Sequence, residues 1–385
     1  MEKNVVVINL GSSSKKYSFY KGENLLLGAH FEKDKEGFLV TYEGEEETKI
    51  HEDVFEKSLA SFYKTLKIRN LVGDSEEIVI GIRLVAPGTY FTEDHIVDED
   101  FLKHLKEKAK EDPVHIDPIS KELSVAKKLF GKESKVVAVS DSTFHSTMNV
   151  NAKNYALPKD VAEEMDLKRF GYHGISLANI VRSLSSRRWG IEEKVVVCHL
   201  GSGASLTAIY KGESVDTTMG YSPLNGLPMS SRVGDIDVGA VLRLLDNKTP
   251  EELSEIFYKK SGFLAVSGFT NDMRTLIDTD KEGNEDSART LDMFSYSIRK
   301  YIGAFMSVMG GLDAIVFSGT IGERSFLLRE RICRDLGWLN VRLDHEKNNN
   351  AKHLDKITEE GSLNVYVVHT DEDYEIMKRV QGVIK

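Results

Sequence analysis

Cysteine is nearly absent: 385 residues hold two, Cys198 in an apolar run and Cys333 beside arginine. No C-x-x-C spacing occurs, which excludes zinc, dithiol-redox and haem-attachment motifs, and a chain this long needs no disulfide framework. Proline is equally sparse, at 7 residues, so collagen-like and proline-rich disordered classes fall away. No segment approaches the roughly 18 apolar residues of a membrane span. The apolar stretch from Val5 to Ile8 is too short for a secretory signal. Positive charge is in deficit, 51 basic against 61 acidic residues for a net of -10, which argues against a protein that coats nucleic acid or an anionic membrane. The expectation is a cytoplasmic enzyme, with no nucleic acid and no membrane among its partners, whose cationic sites are local.

What is present is ordinary globular composition, 41% hydrophobic and 29% charged with 30 glycines, in a length that predicts about two or three domains. The informative feature is internal. Residues 5–23, laid over residues 195–213 without a gap, agree at ten of nineteen positions. An offset of 190 is too long for a solenoid repeat and predicts two related domains in tandem. In each copy three valines open a buried strand, Leu-Gly-Ser makes a tight turn, a second strand follows, and Lys-Gly-Glu turns again. Gly11 and Gly201 free the turn, while Ser12 to Ser14 and Ser202 offer hydroxyls. Two such loops facing each other would clamp a phosphate. No Walker motif, strand-linked G-x-G-x-x-G or protein-kinase H-R-D set occurs, so the site belongs to another architecture.

Helical and strand patterns alternate along the rest of the chain. Helices are predicted over 101–110, 119–130 and 287–309, the last closed by Gly310-Gly311. Thr249-Pro250-Glu251-Glu252 reads as a capping box. Buried strands are predicted at 136–139, 314–317 and 365–368, and the acids Asp371 to Asp373 open a terminal helix. The whole is an α/β protein in two layered halves.

Polar residues stand at strand ends in otherwise apolar or glycine-rich segments: Asn9, Arg83, His115, Asp141, His173, Arg232, the run Asp272-Met273-Arg274, and Glu372. Each alone has a structural reading, as the partner of a buried charge or a helix cap. Together, two arginines, a histidine, carboxylates suited to magnesium and duplicated phosphate turns are the parts of a phosphoryl-transfer site.

These residues carry a resemblance. Asn9 to Ser14 with Lys16, Asp141 to Met148, Arg169 to Gly174, His199 to Ser205, Asp216 to Gly220, Arg232 to Asp237, Ile321-Gly322-Glu323 and Thr370-Asp371-Glu372 resemble, in order, the acetate kinase family. The resemblance implies an α/β fold of two duplicated domains of the acetate and sugar kinase/Hsp70/actin type, with ribonuclease H-like mixed sheets flanked by helices and a cleft between them. It also implies reversible Mg²⁺-dependent phosphoryl transfer between ATP and acetate, with Mn²⁺ as a substitute metal, ADP as product and a homodimer as the assembly. By this similarity Asp141, His173 and Arg232 are catalytic, and Arg83, Val85, Val114, His115, Tyr172 and Pro223 hold the substrate. Lys16, His199, Leu200, Gly201, Ser202, Gly203, Asp272, Met273, Arg274, Thr320, Ile321, Gly322, Glu323 and Arg324 line the nucleotide site, while Asn9 and Glu372 contact the metal.

Chemistry amends one role. A short carboxylate with a pKa near that of glutamate, about 4.3, is already ionised and needs no general base. Asp141 is therefore expected to orient magnesium or an arginine. Departures from the family pattern flank the acyl site, at Ile82, Ala86 and Pro87, at Ile116-Asp117 and at Ile175 and Leu177, and fall in the adenosine loop, where Thr320 would crowd the base and Arg324 would add charge beside a phosphate. Propionate or another short carboxylate as acceptor, and pyrophosphate as donor, stay open. So do a sugar- or polyphosphate-type kinase and, from a different class, a nucleotide-driven switch of the actin/Hsp70 kind. The domains are expected at 1–148 and 149–373, with a terminal helix at 374–385 packing back on the first.

Overall fold

The structure, a computed structural model, describes residues 3–11, 14–33, 37–73, 76–110, 113–131, 134–188 and 190–384, with the backbone alone for 113–115. It divides into two compact units, residues 1–143 with 371–385, and residues 144–370. The unit limits fall at 143/144 and 370/371, against expected limits of 148 and 373.

The first unit is built on a sheet of β1 (Asn4–Leu10), β2 (Ser14–Lys21), β3 (Asn24–Lys33), β4 (Phe38–Tyr42), β5 (Thr48–Ile50), β6 (Ile78–Leu84), β7 (His95–Ile96) and β8 (Val136–Ser140), in the order β5-β4-β3-β2-β1-β6-β8-β7. Val5 to Ile8 are fully buried, as expected of a β-branched run inside a sheet. β1 pairs antiparallel with β2 and parallel with β6, and β6 runs parallel to β8. The second unit has β9 (Lys194–Leu200), β10 (Ala204–Tyr210), β11 (Glu213–Thr217), β12 (Ala314–Ser318), β13 (Asp355–Lys356) and β14 (Asn364–Val367), in the order β11-β10-β9-β12-β14-β13. Here β9 pairs antiparallel with β10 and parallel with β12, which is parallel to β14. The series β3-β2-β1-β6-β8 and β11-β10-β9-β12-β14 therefore share order and direction. The duplication seen in nineteen residues extends to five strands of each unit.

Helices supply the covering layers. In the first unit Leu59, Phe62 and Leu66 of the helix Ser58–Ile68, and Ile119, Leu123 and Ala126 of the helix Pro113–Phe130, join one core with Val6, Ile8, Ile80 and Ile82. In the second, Leu177, Ile180 and Leu184 of the helix Gly174–Ser185 pack with Val195, Val197 and Val316. The helix Pro113–Phe130 begins six residues before the expected start at 119 and carries Pro118 inside it. Proline at the first helical position has its φ preset for the opening turn, so the helix can start at Pro113. The capping box forms as read, Thr249 Oγ1 accepting from Glu252 N and Glu252 Oε2 from Thr249 N. The long helix spans Glu285–Met309 and ends at Gly310, at φ 64°. Both cysteines are buried and free; burial pushes up both thiols, that of Cys333 to about 12, which leaves them unreactive. No helix among the described residues is long and apolar enough to cross a membrane.

The terminal helix Glu372–Val383 lies on β1, β6 and β8. It can come that close because residue 81 in β6 is glycine: a Cβ there would stand 2.6 Å from Val380 Cγ2 and 2.9 Å from Ile376 Cγ2. Gly81→Ala is expected to destabilise the first unit by about 1–3 kcal/mol through overpacking. Gly303→Ala, in open space on the long helix, is the control and should be neutral or stabilising by up to about 1 kcal/mol. Thermal unfolding of the two variants checks the contrast; equal midpoints would refute it.

Candidate active site

In an α/β sheet, side chains just beyond the carboxyl ends of parallel strands project together. The first unit places Asn9 near the end of β1, Arg83 near the end of β6 and Asp141 just past β8, and the terminal helix adds Glu372 and Asp373 in its first turn. Asp371 caps that helix, accepting from Tyr374 N at 2.9 Å, and the positive end of the helix dipole suits the acids around it. Arg83 is the hub. Its Nη2 donates to Asp141 Oδ2 at 2.9 Å, and its Nη1 lies 3.4 Å from Asn9 Oδ1 and 3.5 Å from Glu372 Oε2. Asn9 Nδ2 bridges Glu372 Oε2 at 3.0 Å and Asp373 Oδ1 at 2.9 Å, and Ser18 Oγ donates to Asp373 Oδ2 at 2.5 Å. Burial opposes the charge of Arg83, but the fields of Asp141, Glu372 and Asp373 outweigh it and hold the guanidinium above its usual range. Burial also raises the Asp373 carboxyl, against the pull of Ser18, Asn9 and Lys16. Arg83 Nε is buried without a hydrogen-bond partner among the described residues.

Asp373 was read from sequence only as an acid favoured by the helix dipole. Its bonds to Asn9 and Ser18 form because the terminal helix packs against β1 and β2. Lys16 stands opposite Asn9 in the β1–β2 register with an exposed side chain, and Val85, half-buried, follows β6. Ser12, Ser13 and the side chains of Val114 and His115 lie outside the described residues.

The second unit gathers its groups around the turn joining β9 to β10, closed by Gly201 N donating to Gly203 O at 2.9 Å. His199 and Leu200, both buried, end β9. His173 precedes the helix Gly174–Ser185 in the left-handed region, at φ 62°. Its Nδ1 is 2.9 Å from Ser205 Oγ and its ring centroid 4.5 Å from that of His199. A Cβ on Gly203 would lie 3.2 Å from His173 Nε2 and 3.6 Å from Arg232 Nη1, so one glycine brings the imidazole and the guanidinium beside the same turn. The Arg232 loop is tied to that turn by Ser230 Oγ donating to Ser202 O at 2.9 Å. Tyr172 is buried, its hydroxyl donating to Tyr221 O at 2.6 Å, and Pro223 is buried two residues on.

Thr320 to Arg324 lie in a short helix, Gly319–Arg324, that follows β12. Gly319, at φ 74°, comes so near β9 that a Cβ would be 2.6 Å from Leu200 O, which sets this segment beside the Gly201 turn. The Glu323 carboxylate accepts from Gly319 N at 3.0 Å and Thr370 N at 3.3 Å, and so braces the turn. Buried Arg329, which sequence reading missed, donates to Gly322 O and Glu323 O, each at 2.8 Å, and burial lowers its guanidinium to about 10. Asp272 caps the helix Met273–Lys281 and pairs with Arg274, whose side chain is otherwise exposed, while the Met273 side chain is buried. One turn along, Ile277 lines a recess with Leu291, Leu327 and Leu328 and with the charged Asp280 and Arg331. Among the described residues no three of His, Cys, Asp and Glu are arranged to hold a metal ion by themselves.

Twin sheets of one topology, with arginine, histidine and carboxylate groups gathered at their strand ends, define a duplicated α/β protein of the actin/Hsp70-like class. Comparison with known proteins narrows the class: the family model described as the acetokinase family matches residues 4–378, and the chain belongs to that family. Acetate kinase of Halothermothrix orenii is 36% identical over an alignment of 397 positions that covers 99% of each chain. Acetate kinase 2 of Clostridium perfringens is 36% identical over 399, again with 99% of each chain. Among solved structures, a propionate kinase from Francisella tularensis matches with a TM-score of 0.87 at 30% identity over 99% of each chain. The acetate kinase of Porphyromonas gingivalis matches with 0.85 at 29% over 100% of each. Members of the family are carboxylate kinases, so the chain is an enzyme of the phosphotransferase class, with ATP or ADP implied as its co-substrate.

Gly203 has no positive φ, so alanine there carries no backbone strain and acts only by pressing on the His173 ring. Gly203→Ala is expected to lower turnover by about tenfold to a hundredfold, the scale of small misplacements at a reacting centre, with a thermal midpoint close to that of the parent. Full turnover in a steady-state assay would exclude this turn from the chemistry.

Proposed function

We propose that this chain transfers the γ-phosphoryl group of ATP to acetate, giving acetyl phosphate and ADP, and runs the reverse reaction with the same groups. The observation that carries the reading is Arg83: a guanidinium fixed by Asp141, with a buried Nε still unmatched, is suited to receive a small carboxylate. Relatives named acetate kinase over nearly the whole chain support the same conclusion. In this reading Arg83 aligns the carboxylate, which attacks phosphorus without loss of a proton, and Asp141 holds Arg83 in line. His173 and Arg232 bear the charge that spreads over the equatorial oxygens of a loose transition state. The Gly201 turn, Lys16, Asp272 to Arg274 and the segment 320–324 receive the nucleotide, and the recess lined by Ile277, Leu291, Leu327 and Leu328 offers apolar side chains to its base.

Magnesium suits the oxygen donors of Asn9 and Glu372. It is commonly held by one or two carboxylates together with substrate phosphates, so a set of three acidic ligands is not required. When bound it would neutralise phosphate charge, and Mn²⁺ would substitute. Val85, Val114, His115, Tyr172 and Pro223 form the acyl-site set of this reading. A preference between acetate and propionate rests on one methylene, about 1–3 kcal/mol, and the propionate kinase likeness makes propionate the second substrate to test. The proposal includes a cytoplasmic location, which two free thiols fit, and a homodimer. Self-association is supported by the helix Val238–Leu245, which buries none of its residues although Val238, Leu242, Leu244 and Leu245 are all apolar.

Hydroxamate formation from acetate, ATP, Mg²⁺ and hydroxylamine tests the reading, with propionate, butyrate and pyrophosphate as further arms. Acetate with ATP should be turned over and chelation of the metal should abolish the signal. Arg232→Ala should lose on the order of 10³-fold in rate. Failure of acetate and propionate alike would end the proposal, and near-normal turnover by Arg232→Ala would remove that residue from the mechanism.

A further inference from the structure

Asp141 is one residue beyond Ser140, the last residue of β8, and every polar group of Ser140 is held from outside the strand. Its N donates to Asp94 Oδ1 at 2.9 Å, its hydroxyl donates to Phe91 O, and its carbonyl accepts from Arg379 Nη2 at 3.0 Å. Asp94 and Arg379 are themselves a two-pronged pair, Nε to Oδ2 at 2.8 Å and Nη2 to Oδ1, with both side chains only 13% exposed. Thr143 Oγ1 adds a donor to Asp94 Oδ1 at 3.4 Å, and Ser142 N donates to the Ser140 hydroxyl at 3.1 Å. Asp141 N is fixed in turn by Leu84 O at 2.9 Å, next to Arg83.

Arg379 stands on the terminal helix two turns beyond Glu372, about 10 Å along its axis. One helix therefore grips the arginine site on two sides. Its first turn offers Glu372 to Arg83 and, with Asp373, holds Asn9; its third turn, through Arg379 and Asp94, holds the backbone that carries Asp141.

We propose that Asp94 and Arg379 are positioning residues for the carboxylate site: the pair fixes the Ser140–Asp141 backbone, Asp141 then fixes Arg83, and the substrate carboxylate is aligned through them. The inference rests on the carboxylate kinase reading above. A two-pronged guanidinium–carboxylate pair is the geometry that holds direction as well as distance, and the added bond to Ser140 O turns a stabilising pair into a gauge for the next residue. Neither residue touches substrate.

The test separates positioning from mere stability. Unfolding a fraction of the enzyme lowers kcat and leaves every KM unchanged, whereas a displaced Arg83 raises the KM for the carboxylate. In Arg379→Gln the KM for acetate is expected to rise about tenfold and kcat/KM for acetate to fall about tenfold to a hundredfold, with the KM for ATP within about twofold of the parent. Arg379→Lys, which keeps the charge and loses the fork, should recover part of the loss. Asp94→Asn, which keeps the shape and an acceptor for Ser140 N, should show the same KM split in milder form. The double variant should lose far less than the product of the single losses. If Arg379→Gln does not fold, Arg379→Lys and Asp94→Asn carry the test on the same readout. An unchanged KM for acetate in the folded variants, or a fall in kcat with both KM values constant, overturns the inference alone. A parent enzyme that forms no hydroxamate overturns the function reading and this inference with it.

Discussion

A guanidinium taken out of water has to be surrounded by carboxylates, and much of the first unit serves that condition around Arg83. Three chain segments far apart in sequence supply its partners: Asn9 from β1, Asp141 from the end of β8, and Glu372 from the terminal helix. The last requires the chain to leave the unit at residue 143, build a second unit, and return at 371. The returning helix seats closely because Gly81 leaves room for Ile376 and Val380. Packing and electrostatics are thus one constraint here: the apolar face of the helix sets its distance from β6, and that distance puts its acidic first turn within reach of Arg83.

The second unit shows what duplication leaves free. Both units carry the same five-strand series, yet the sequences that follow their first strands diverge. At the 190-residue offset the partner of Gly203 is Ser13. Only the glycine version admits His173 and Arg232 to the edge of the turn, because any Cβ there would press on the imidazole. A common scaffold has taken an arginine–carboxylate set in one copy and a histidine–arginine set in the other.

Much of the fold was legible in the sequence because local rules were obeyed. The valine runs of β1 and β9, the capping box at Thr249 and the glycine stop at Gly310 each follow from side-chain shape and backbone hydrogen-bonding needs. The helix that contains Pro118 begins at Pro113, ahead of the expected start at 119. Of the candidate site, Asn9, Arg83, Asp141, His173, Arg232 and Glu372 can be singled out from sequence because they stand in recognisable runs. The residues that hold them were not: Ser205 against His173, Arg329 beneath the 322–323 carbonyls, Asp373 against Asn9 and Ser18, and the Asp94–Arg379 pair behind Ser140.

The sequence by itself determined the duplication, the class of secondary elements and the chemical inventory, because those depend on spacings of two to four residues and on a repeat that can be counted. The tertiary structure alone decided which acid meets which base. Asn9 and Asp373 are separated by 364 positions, and Asp94 and Arg379 by 285. Whether such groups touch depends on how parallel strands order themselves in a sheet and on where a returning helix can settle, and neither is written in the neighbourhood of any one residue.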